Sequence, residues 1–211
     1  LVRSRGLGDV YKRQECRLSN VVFMGMGEPL CNYEQVLRAV LILNNGEGKN
    51  IGVRHLTISS CGLPPEIERL AGEDIQPRLA ISLNAPTDAL RSQIMPINNK
   101  WPIASVMKAA ELYQIKTGLR VTFEYVLLKG FNDGAEQAEA LVKLLRKVKC
   151  NVNLIEYNPH RGCEFAASSK SSLERFAGIL RDGGIETTVR LKMGQGIKAG
   201  CGQLGAGRLD N

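Results

Sequence analysis

The alternation of strand-like and helix-like segments is the feature that most limits how this chain can fold. Six β-prone runs, at residues 20–24, 55–59, 78–83, 119–127, 151–156 and 186–190, alternate with helix-like stretches at residues 33–43, 65–71, 103–116, 135–147 and 171–182. A helix between two strands returns the chain so that both strands run in the same direction. We therefore predict an α/β fold with a parallel sheet, and six such units favour a barrel or partial barrel over a doubly wound sheet.

The net charge of the chain is concentrated partly in its first residues. The formal charge is +7, and residues 1–14 hold four basic residues against Asp9, which leaves residues 15–211 with +4. Residues 1–14 also lack apolar periodicity, so we interpret them as a non-native or mis-joined segment. The rest of the chain is mildly basic, which is compatible with a nucleic-acid partner but does not require one.

The cysteines and the apolar runs indicate a cellular location. The six cysteines, at positions 16, 31, 61, 150, 163 and 201, include no CxxC pair and no spacing typical of zinc ligands. Scattered single cysteines are typical of reduced, cytoplasmic proteins. The apolar runs are too short to cross a bilayer, and we expect neither membrane insertion nor a signal peptide.

Small and polar residues recur where the predicted strands end. In parallel βα architectures ligands bind at the carboxyl ends of the strands, so these positions are candidate binding residues. They include Gly27, Glu28, Ser59, Ser82, Asn84 and Asn158. A carboxylate held by the following proline could bind an ammonium group, and the hydroxyl and amide side chains could bind a ribose or a carboxylate. The alternative is that each of them only completes a turn or pairs with nearby backbone.

Cys201 is flanked by Gly200 and Gly202 near the end of the chain. Glycine on both sides leaves little side-chain surface to pack against the thiol, which suggests a reactive cysteine on a loop. The alternative is a small buried residue in a tight turn, and composition alone favours that alternative.

Five motifs together resemble one enzyme family. They are VVFMGMGEPL at residues 21–30, AISLNAP at 80–86, MPIN at 95–98, EYVL at 124–127 and AGCGQL at 199–204. In order and spacing they resemble the radical S-adenosylmethionine methyltransferases that methylate C2 of an adenine in 23S rRNA and in tRNA. The resemblance extends from residue 20 to about residue 207.

The resemblance implies a partial parallel βα barrel of the radical S-adenosylmethionine type. It further implies S-adenosyl-L-methionine and a 4Fe-4S cluster as cofactors. By matching position, Gly27 and Glu28 would hold the methionine amino group. The rest of that site would be lined by Ser59, Ser82, Leu83, Asn84 and Asn158.

The resemblance also implies a mechanism in which Cys201 carries the methyl group. One S-adenosylmethionine would methylate the thiol. A radical derived from a second S-adenosylmethionine would take a hydrogen from that S-methyl group, and the resulting carbon radical would add to the adenine. Implied partners are 23S rRNA, tRNA and an electron donor such as flavodoxin or ferredoxin. A monomer is expected.

The chain lacks one part of the family pattern. The three cluster cysteines of the family form a CxxxCxxC array upstream of the GMGEP strand, and no such array occurs in these 211 residues. No metal ligand is therefore assigned here. We expect residues 15–211 to be the C-terminal portion of the catalytic domain, without its first strand and cluster loop. Asn84 stands where the family often has histidine.

Two other functions fit the same motifs. A sibling branch methylates C8 of the same adenine and confers antibiotic resistance, and it shares these sequences. A barrel that binds S-adenosylmethionine or RNA without catalysis is the non-enzymatic alternative.

The missing cysteine array leads to a prediction about iron. After anaerobic reconstitution with iron and sulfide, we expect the 211-residue chain alone to hold no stoichiometric cluster, because it lacks the three thiolate ligands. Bound iron and the visible spectrum report the result. About four irons per chain with a thiolate-to-iron absorption band would contradict the prediction.

Overall fold

A computed structural model describes residues 18–25, 27–159 and 164–190. Within them the chain forms six strands: β1 (Val21–Phe23), β2 (Leu56–Ser60), β3 (Arg78–Ser82), β4 (Val121–Leu127), β5 (Cys150–Glu156) and β6 (Glu186–Arg190). The helices are α1 (Tyr33–Asn44), α2 (Pro64–Leu70), α3 (Asp88–Ile94), α4 (Ile103–Thr117), α5 (Ala135–Leu145) and α6 (Lys170–Asp182). Short 3-10 turns at Pro29–Asn32, Val53–His55 and Pro96–Asn99 precede or follow them.

All six strands lie in one parallel sheet in sequence order. The predicted parallel α/β architecture is therefore confirmed. The prediction of a single helix in each crossover is wrong for the connection between β3 and β4, which contains α3 as well as α4. Helix α3 has only seven residues, and its central arginine is fully buried, so it lacks the apolar periodicity that reveals longer helices.

The sheet is open but strongly curved. Strands β1 and β6 are its two edges, and they are not paired with each other. Six strands in a flat sheet would separate these edges by about 24 Å, because neighbouring strands lie about 4.8 Å apart. Yet the guanidinium Nη1 of Arg190, at the end of β6, lies 3.9 Å from the sulfur of Met24, just after β1. The curvature that brings the edges together is that of a partial barrel.

Alternate residues along each strand separate the two faces of the sheet. On one face, strand residues such as Ile58, Ile81, Phe123 and Leu154 pack with buried helix residues in a single hydrophobic core. The opposite face carries polar residues. Side-chain hydrogen bonds link some of them across neighbouring strands, as between Thr122 and Asn151 at 3.0 Å. The helices therefore cover one face, and the curved sheet encloses a polar interior.

Local signals in the sequence explain where several helices begin and end. Helix α2 begins with a proline at its first position, where a missing N–H costs nothing. Helix α6 is capped by Ser169, whose hydroxyl accepts a hydrogen bond from the backbone N–H of Ser172 at 3.1 Å. Helix α4 ends at Gly118, which adopts the left-handed conformation with φ of +68°.

Three of the sequence predictions lie on residues that the structure does not describe. These are the interpretation of residues 1–14, the role of Cys201 and the motif around it. Among the described residues, no helix has both the length and the hydropathy needed to cross a membrane.

The turn after β2 yields a prediction about stability. Gly62 has φ of +93°, and a Cβ there would lie 3.0 Å from a methyl of Val106, a buried residue of α4. We expect Gly62→Ala to lower the free energy of unfolding by about 3 kcal/mol through backbone strain and overpacking.

Gly118→Ala is the matched control for that measurement. Gly118 also has positive φ, but a Cβ there would meet nothing within 4 Å. We expect it to cost only about 1 kcal/mol, the strain of the left-handed conformation alone. Urea unfolding of both variants measures the difference, and equal losses would show that contact with Val106 is unimportant.

Candidate functional site

The side chain of Glu28 connects the loop after β1 to the end of β2 through hydrogen bonds. Its Oε1 accepts a hydrogen bond from the backbone N–H of Leu30 at 3.1 Å, which caps the short 3-10 turn after β1. Its Oε2 accepts from the backbone N–H of Cys61 at 2.7 Å, just beyond β2. A carboxylate has about four acceptor positions, so capacity remains for a further donor besides these two N–H groups and the Cys61 thiol. Glu28 is therefore held in place by the fold and can still bind a cationic or N–H-bearing ligand.

Gly27 precedes this carboxylate and leaves the site open. It has φ of +90°, and an added Cβ would meet nothing within 4 Å. Gly25 also has open space at its Cβ position, while Met26 between them lies outside the described residues. The backbone beside Glu28 thus has open space around the two glycines.

Two serines from neighbouring strands meet at one carboxylate. The hydroxyls of Ser59 on β2 and Ser82 on β3 donate to the same oxygen, Oε2, of Glu124 on β4, at 2.8 Å and 3.3 Å. Glu124 is buried, with 6% of its surface exposed. The three side chains therefore form one group, named here the Ser-Ser-Glu cluster, on the polar face of the sheet.

Leu83 and Asn84 follow β3 and are largely used by the fold itself. The side chain of Leu83 is buried in the core, and its backbone N–H donates to the carbonyl oxygen of Glu124 at 3.0 Å. Asn84 adopts a left-handed φ of +59°, and its Oδ1 accepts from the backbone N–H of Val126 at 3.0 Å. Its amide nitrogen points to the sulfur of Met95 at 3.4 Å. The structure thus places Asn84 at the predicted edge, where its side chain pairs with the backbone of the neighbouring strand β4.

A fully buried arginine holds these strand ends together. Arg91 on α3 is 0% exposed. Its guanidinium donates to the carbonyl oxygens of Cys61 at 2.6 Å and Leu83 at 3.1 Å, and to the side-chain oxygen of Asn98 at 3.0 Å. Burial lowers the pKa of Arg91 from its ordinary value. The guanidinium fork therefore connects the ends of β2 and β3 to the 3-10 turn that contains Asn98.

Asn132 performs the same task between β3 and β4. It is 0% exposed, and its side-chain oxygen accepts from the backbone N–H of Leu128 at 2.7 Å. Its amide nitrogen donates to the carbonyl oxygens of Asn84 and Val126, both at 2.8 Å. The loop after β4 is thereby locked against the end of β3.

The remaining predicted site residues are not part of this group. Asn158 lies two positions after β5, half-buried, and the register places the end of β5 beside the end of β4. It therefore lies farther along the same edge of the sheet than Ser59 and Ser82. Cys201 lies outside the described residues.

The cysteines of the described region do not form a metal centre. Cys31, Cys61 and Cys150 are free thiols. Burial, reinforced by the carboxylate of Glu28, raises the pKa of Cys61 to about 12, so its thiol stays protonated near neutral pH. Across the part of the chain that the structure describes, no three side chains of the metal-binding types come together.

Comparison with known sequences identifies the family. Residues 8–145 match the sequence profile described as the Radical SAM superfamily, which is more than half of the chain. The chain belongs to the radical SAM superfamily. Its glycine-glutamate turn and the serines at successive strand ends lie at the carboxyl edge of a parallel sheet, where ligands bind in such folds.

Curated relatives of this superfamily member carry one recurring name. A protein of Dictyoglomus turgidum named probable dual-specificity RNA methyltransferase RlmN is 48% identical over 203 residues, covering 96% of this chain and 58% of that protein. A protein of the same name from Symbiobacterium thermophilum is 50% identical over 189 residues, covering 89% of this chain and 51% of that protein. These relatives confirm the family resemblance drawn from the five motifs. The chain spans little more than half of their length.

Solved structures confirm the fold. A radical SAM methyltransferase from Sphaerobacter thermophilus matches with a TM-score of 0.90 and 47% identity, over 92% of this chain and 57% of that one. A domain of a pyruvate-formate lyase-activating enzyme from Bacteroides vulgatus matches with a TM-score of 0.60 at 18% identity, over 82% of this chain and 100% of that domain. The second likeness shows the shared fold alone.

The described residues fit S-adenosylmethionine better than they fit an iron–sulfur cluster. The superfamily generally uses both groups. Glu28 has acceptor capacity for an ammonium, open backbone lies beside it, and the Ser-Ser-Glu cluster offers polar atoms on the next strands. In contrast, the described part of the chain contains no set of thiolates for a cluster.

Sequence reasoning missed three residues that build the site. Glu124 was quoted within the EYVL motif but was not assigned a role, although a charge inside the apolar run from Val121 to Leu127 is a signal of function. Arg91 and Asn132 were not singled out. Their partners lie on other elements, so nothing in the local sequence marks them.

Arg91 generates a prediction about the integrity of the site. We expect Arg91→Met to lower the free energy of unfolding by about 3 kcal/mol or more, because it leaves buried carbonyl oxygens without donors. Arg91→Lys should lose less, since it keeps the charge but not the planar fork. Urea unfolding measures both variants.

Arg175→Met is the matched control, because Arg175 is exposed on α6. It should leave the unfolding midpoint nearly unchanged. If Arg91→Met were as stable as this control, the guanidinium would not be holding the strand ends.

Proposed function

We propose that this chain forms the S-adenosylmethionine-binding and methyl-carrying part of a radical S-adenosylmethionine enzyme that methylates C2 of adenine in RNA. The observation that supports it most directly is the group at the carboxyl edge of the sheet. There Glu28, Ser59 and Ser82 from three successive parallel strands are connected through backbone and the carboxylate of Glu124. Relatives at 46–50% identity are named dual-specificity RNA methyltransferases.

The chemistry of the edge suggests how the ligand would be oriented. S-adenosylmethionine, when bound, supplies the methyl group. The carboxylate of Glu28 would accept the methionine ammonium, with Gly27 leaving room for its approach. Ser59 and Ser82 would bind donor groups of the nucleoside, and Leu83 and Asn84 would form the adjoining wall through their backbone. Asn158, beyond β5, would contact the part of the ligand farthest from Glu28.

Cys201 is proposed as the residue that carries the methyl group to the RNA base. Its motif, AGCGQL, matches the family pattern in order and spacing. The carbon at C2 of adenine is a weak nucleophile, so direct transfer from a sulfonium is unfavourable and a radical on the transferred carbon is needed. The thiol of Cys201 would carry that carbon to the base. Flanking glycines would allow the loop to place the thiol alternately near the methyl donor and near the base.

The proposed partners follow from the relatives' names and the family resemblance. We propose 23S rRNA and tRNA as substrates, with flavodoxin or ferredoxin as electron donor, and a monomer working in the cytoplasm. We also propose that residues 15–211 are the C-terminal portion of the catalytic domain and that residues 1–14 are not native to it. The formal charge of +4 on residues 15–211 is compatible with an RNA substrate.

The sibling C8 methyltransferase activity is separated from C2 methylation by the product. Mass spectrometry and co-migration of nucleosides from methylated RNA distinguish 2-methyladenosine from 8-methyladenosine. Binding without any methyl transfer by the complete enzyme would support the non-catalytic alternative.

The proposal predicts the effect of removing the carrier thiol. In an enzyme that joins this chain to a cluster-binding upstream segment, Cys201→Ala should abolish methyl transfer to RNA, since no other thiol would replace it. Affinity for S-adenosylmethionine should be retained, because Glu28, Ser59 and Ser82 are unchanged. The assays are nucleoside mass spectrometry of the RNA and equilibrium binding.

Cys150→Ala is the control for thiol removal. Cys150 begins β5, at the opposite end of that strand from the proposed binding edge, so its loss should leave methyl transfer intact. Intact-protein mass spectrometry of the unsubstituted enzyme should detect an added methyl on Cys201. Methylated adenine made by Cys201→Ala would show that the thiol is not the carrier.

A further inference from the structure

The buried carboxylate of Glu124 has an unusual set of partners. It lies on β4, is 6% exposed, and receives the hydroxyls of Ser59 and Ser82 from the two preceding strands at 2.8 Å and 3.3 Å. The ion pairs found in the described region, all at the surface, join Arg69 to Glu34 and Glu73, and Arg120 to Glu186. Within that region the carboxylate is therefore stabilised by hydroxyl donors and not by a neighbouring cation.

This arrangement determines which way the serine protons point. A hydroxyl has one proton to donate and two acceptor lone pairs, whereas an ionised carboxylate can only accept. In this geometry Ser59 and Ser82 both donate their single proton to Oε2 of Glu124. Neither hydroxyl then has a proton left for a ligand, and each presents only acceptor lone pairs.

The surrounding backbone keeps Glu124 in register with both serines. Its own carbonyl oxygen accepts from the N–H groups of Leu83 and Asn84 at 3.0 Å and 3.4 Å. The register pairs Ser82 directly with Glu124 across the two strands. The position of the carboxylate relative to Ser82 is thus fixed by main-chain bonds and does not depend on a ligand.

We propose that Glu124 is a positioning residue. By accepting the hydrogen bonds of both serine hydroxyls, it sets the polarity of the binding edge, meaning that the edge presents acceptors and not donors to a ligand. Ser59 and Ser82 then accept hydrogen bonds from ligand donors, such as ribose hydroxyls, an amine or an ammonium. They do not bind a ligand carboxylate, which would need donors from them. This rests on the proposed function, and it narrows the sequence prediction that these serines bind either a ribose or a carboxylate.

Glu124→Gln tests the polarity directly, because the amide is nearly the same shape as the carboxylate but carries its own donors. The amide nitrogen would donate to at least one serine oxygen. That hydroxyl would then rotate and direct its proton toward the ligand. We expect the affinity of the full chain for S-adenosylhomocysteine, measured by titration calorimetry, to fall by about tenfold. Thr122→Val, on the same face of β4 but nearer its amino end, is the matched control and should bind as tightly as the unsubstituted chain.

A double-mutant cycle separates positioning from direct contact. If Glu124 acts through the serines, Glu124→Gln in a Ser59→Ala/Ser82→Ala background should change the affinity by less than about twofold. A tenfold loss that persisted there would mean that the carboxylate contacts the ligand itself, and would overturn the inference. Equal affinity of Glu124→Gln and the unsubstituted chain would overturn it as well, while leaving the proposed function standing.

The hydroxyl protons can also be observed without any ligand. The measurement is an NMR spectrum of the chain labelled with carbon-13 at serine Cβ, dissolved in equal parts of light and heavy water. A hydroxyl proton that is hydrogen-bonded to a carboxylate exchanges slowly, so the protonated and deuterated forms give two separate Cβ signals. We expect splitting at Ser59 and Ser82, its loss in Glu124→Ala, and none at Ser171, which is exposed. Unsplit signals at both serines would overturn the inference. If the unsubstituted chain bound no S-adenosyl ligand, the proposed function would fail, and this measurement would still decide the polarity.

Discussion

The buried guanidinium of Arg91 is the interaction on which the arrangement of the binding edge depends. Burying a cation is expensive unless its donors are fully used, and here they are used on oxygens at the ends of β2 and β3 and on the turn at Asn98. The acceptors are mainly backbone carbonyls, so the side chain fixes main-chain positions and not merely other side chains. Arg91 thereby holds two loops at a constant separation. One contains Cys61, whose N–H binds Glu28, and the other contains Leu83, which follows Ser82.

The same principle recurs along part of the edge, where the first three neighbouring pairs of strand ends are each joined by one polar side chain. Glu28 joins β1 to β2, Arg91 joins β2 to β3, and Asn132 joins β3 to β4. Parallel strands are paired along their length but diverge into loops at their ends, where the main chain has no regular partners. Side chains supply the missing hydrogen bonds, and they leave selected lone pairs for a ligand. These strand ends are consequently held in place beside the residues that we propose bind the ligand.

The predicted and the missed residues differ in the local signal that the sequence gives them. Glu28, Ser59 and Ser82 could be named as candidates because each follows or ends a strand-like run, and position at a strand end is a local property. Glu124 is hydrogen-bonded to residues 42 and 65 positions away, so the charge inside its motif signals a role but does not reveal its partners. The short helix α3 was missed for a related reason, because its buried central residue is charged and its stability comes from distant carbonyls. Cys201, whose role rests on its motif, stays a prediction.

The sequence by itself determined the alternation of strands and helices, the parallel order of the sheet and the family. These follow from periodicity, from the handedness of crossovers and from ordered motifs, all of which are readable along one dimension. Only the tertiary structure decided how near the edges of the partial barrel come to each other, with Arg190 close to Met24, and the convergence of Ser59 and Ser82 on one carboxylate. Hydrogen bonds act over about 3 Å in space regardless of separation along the chain. The direction in which Ser59 and Ser82 donate their protons is therefore fixed only when β2, β3 and β4 lie side by side.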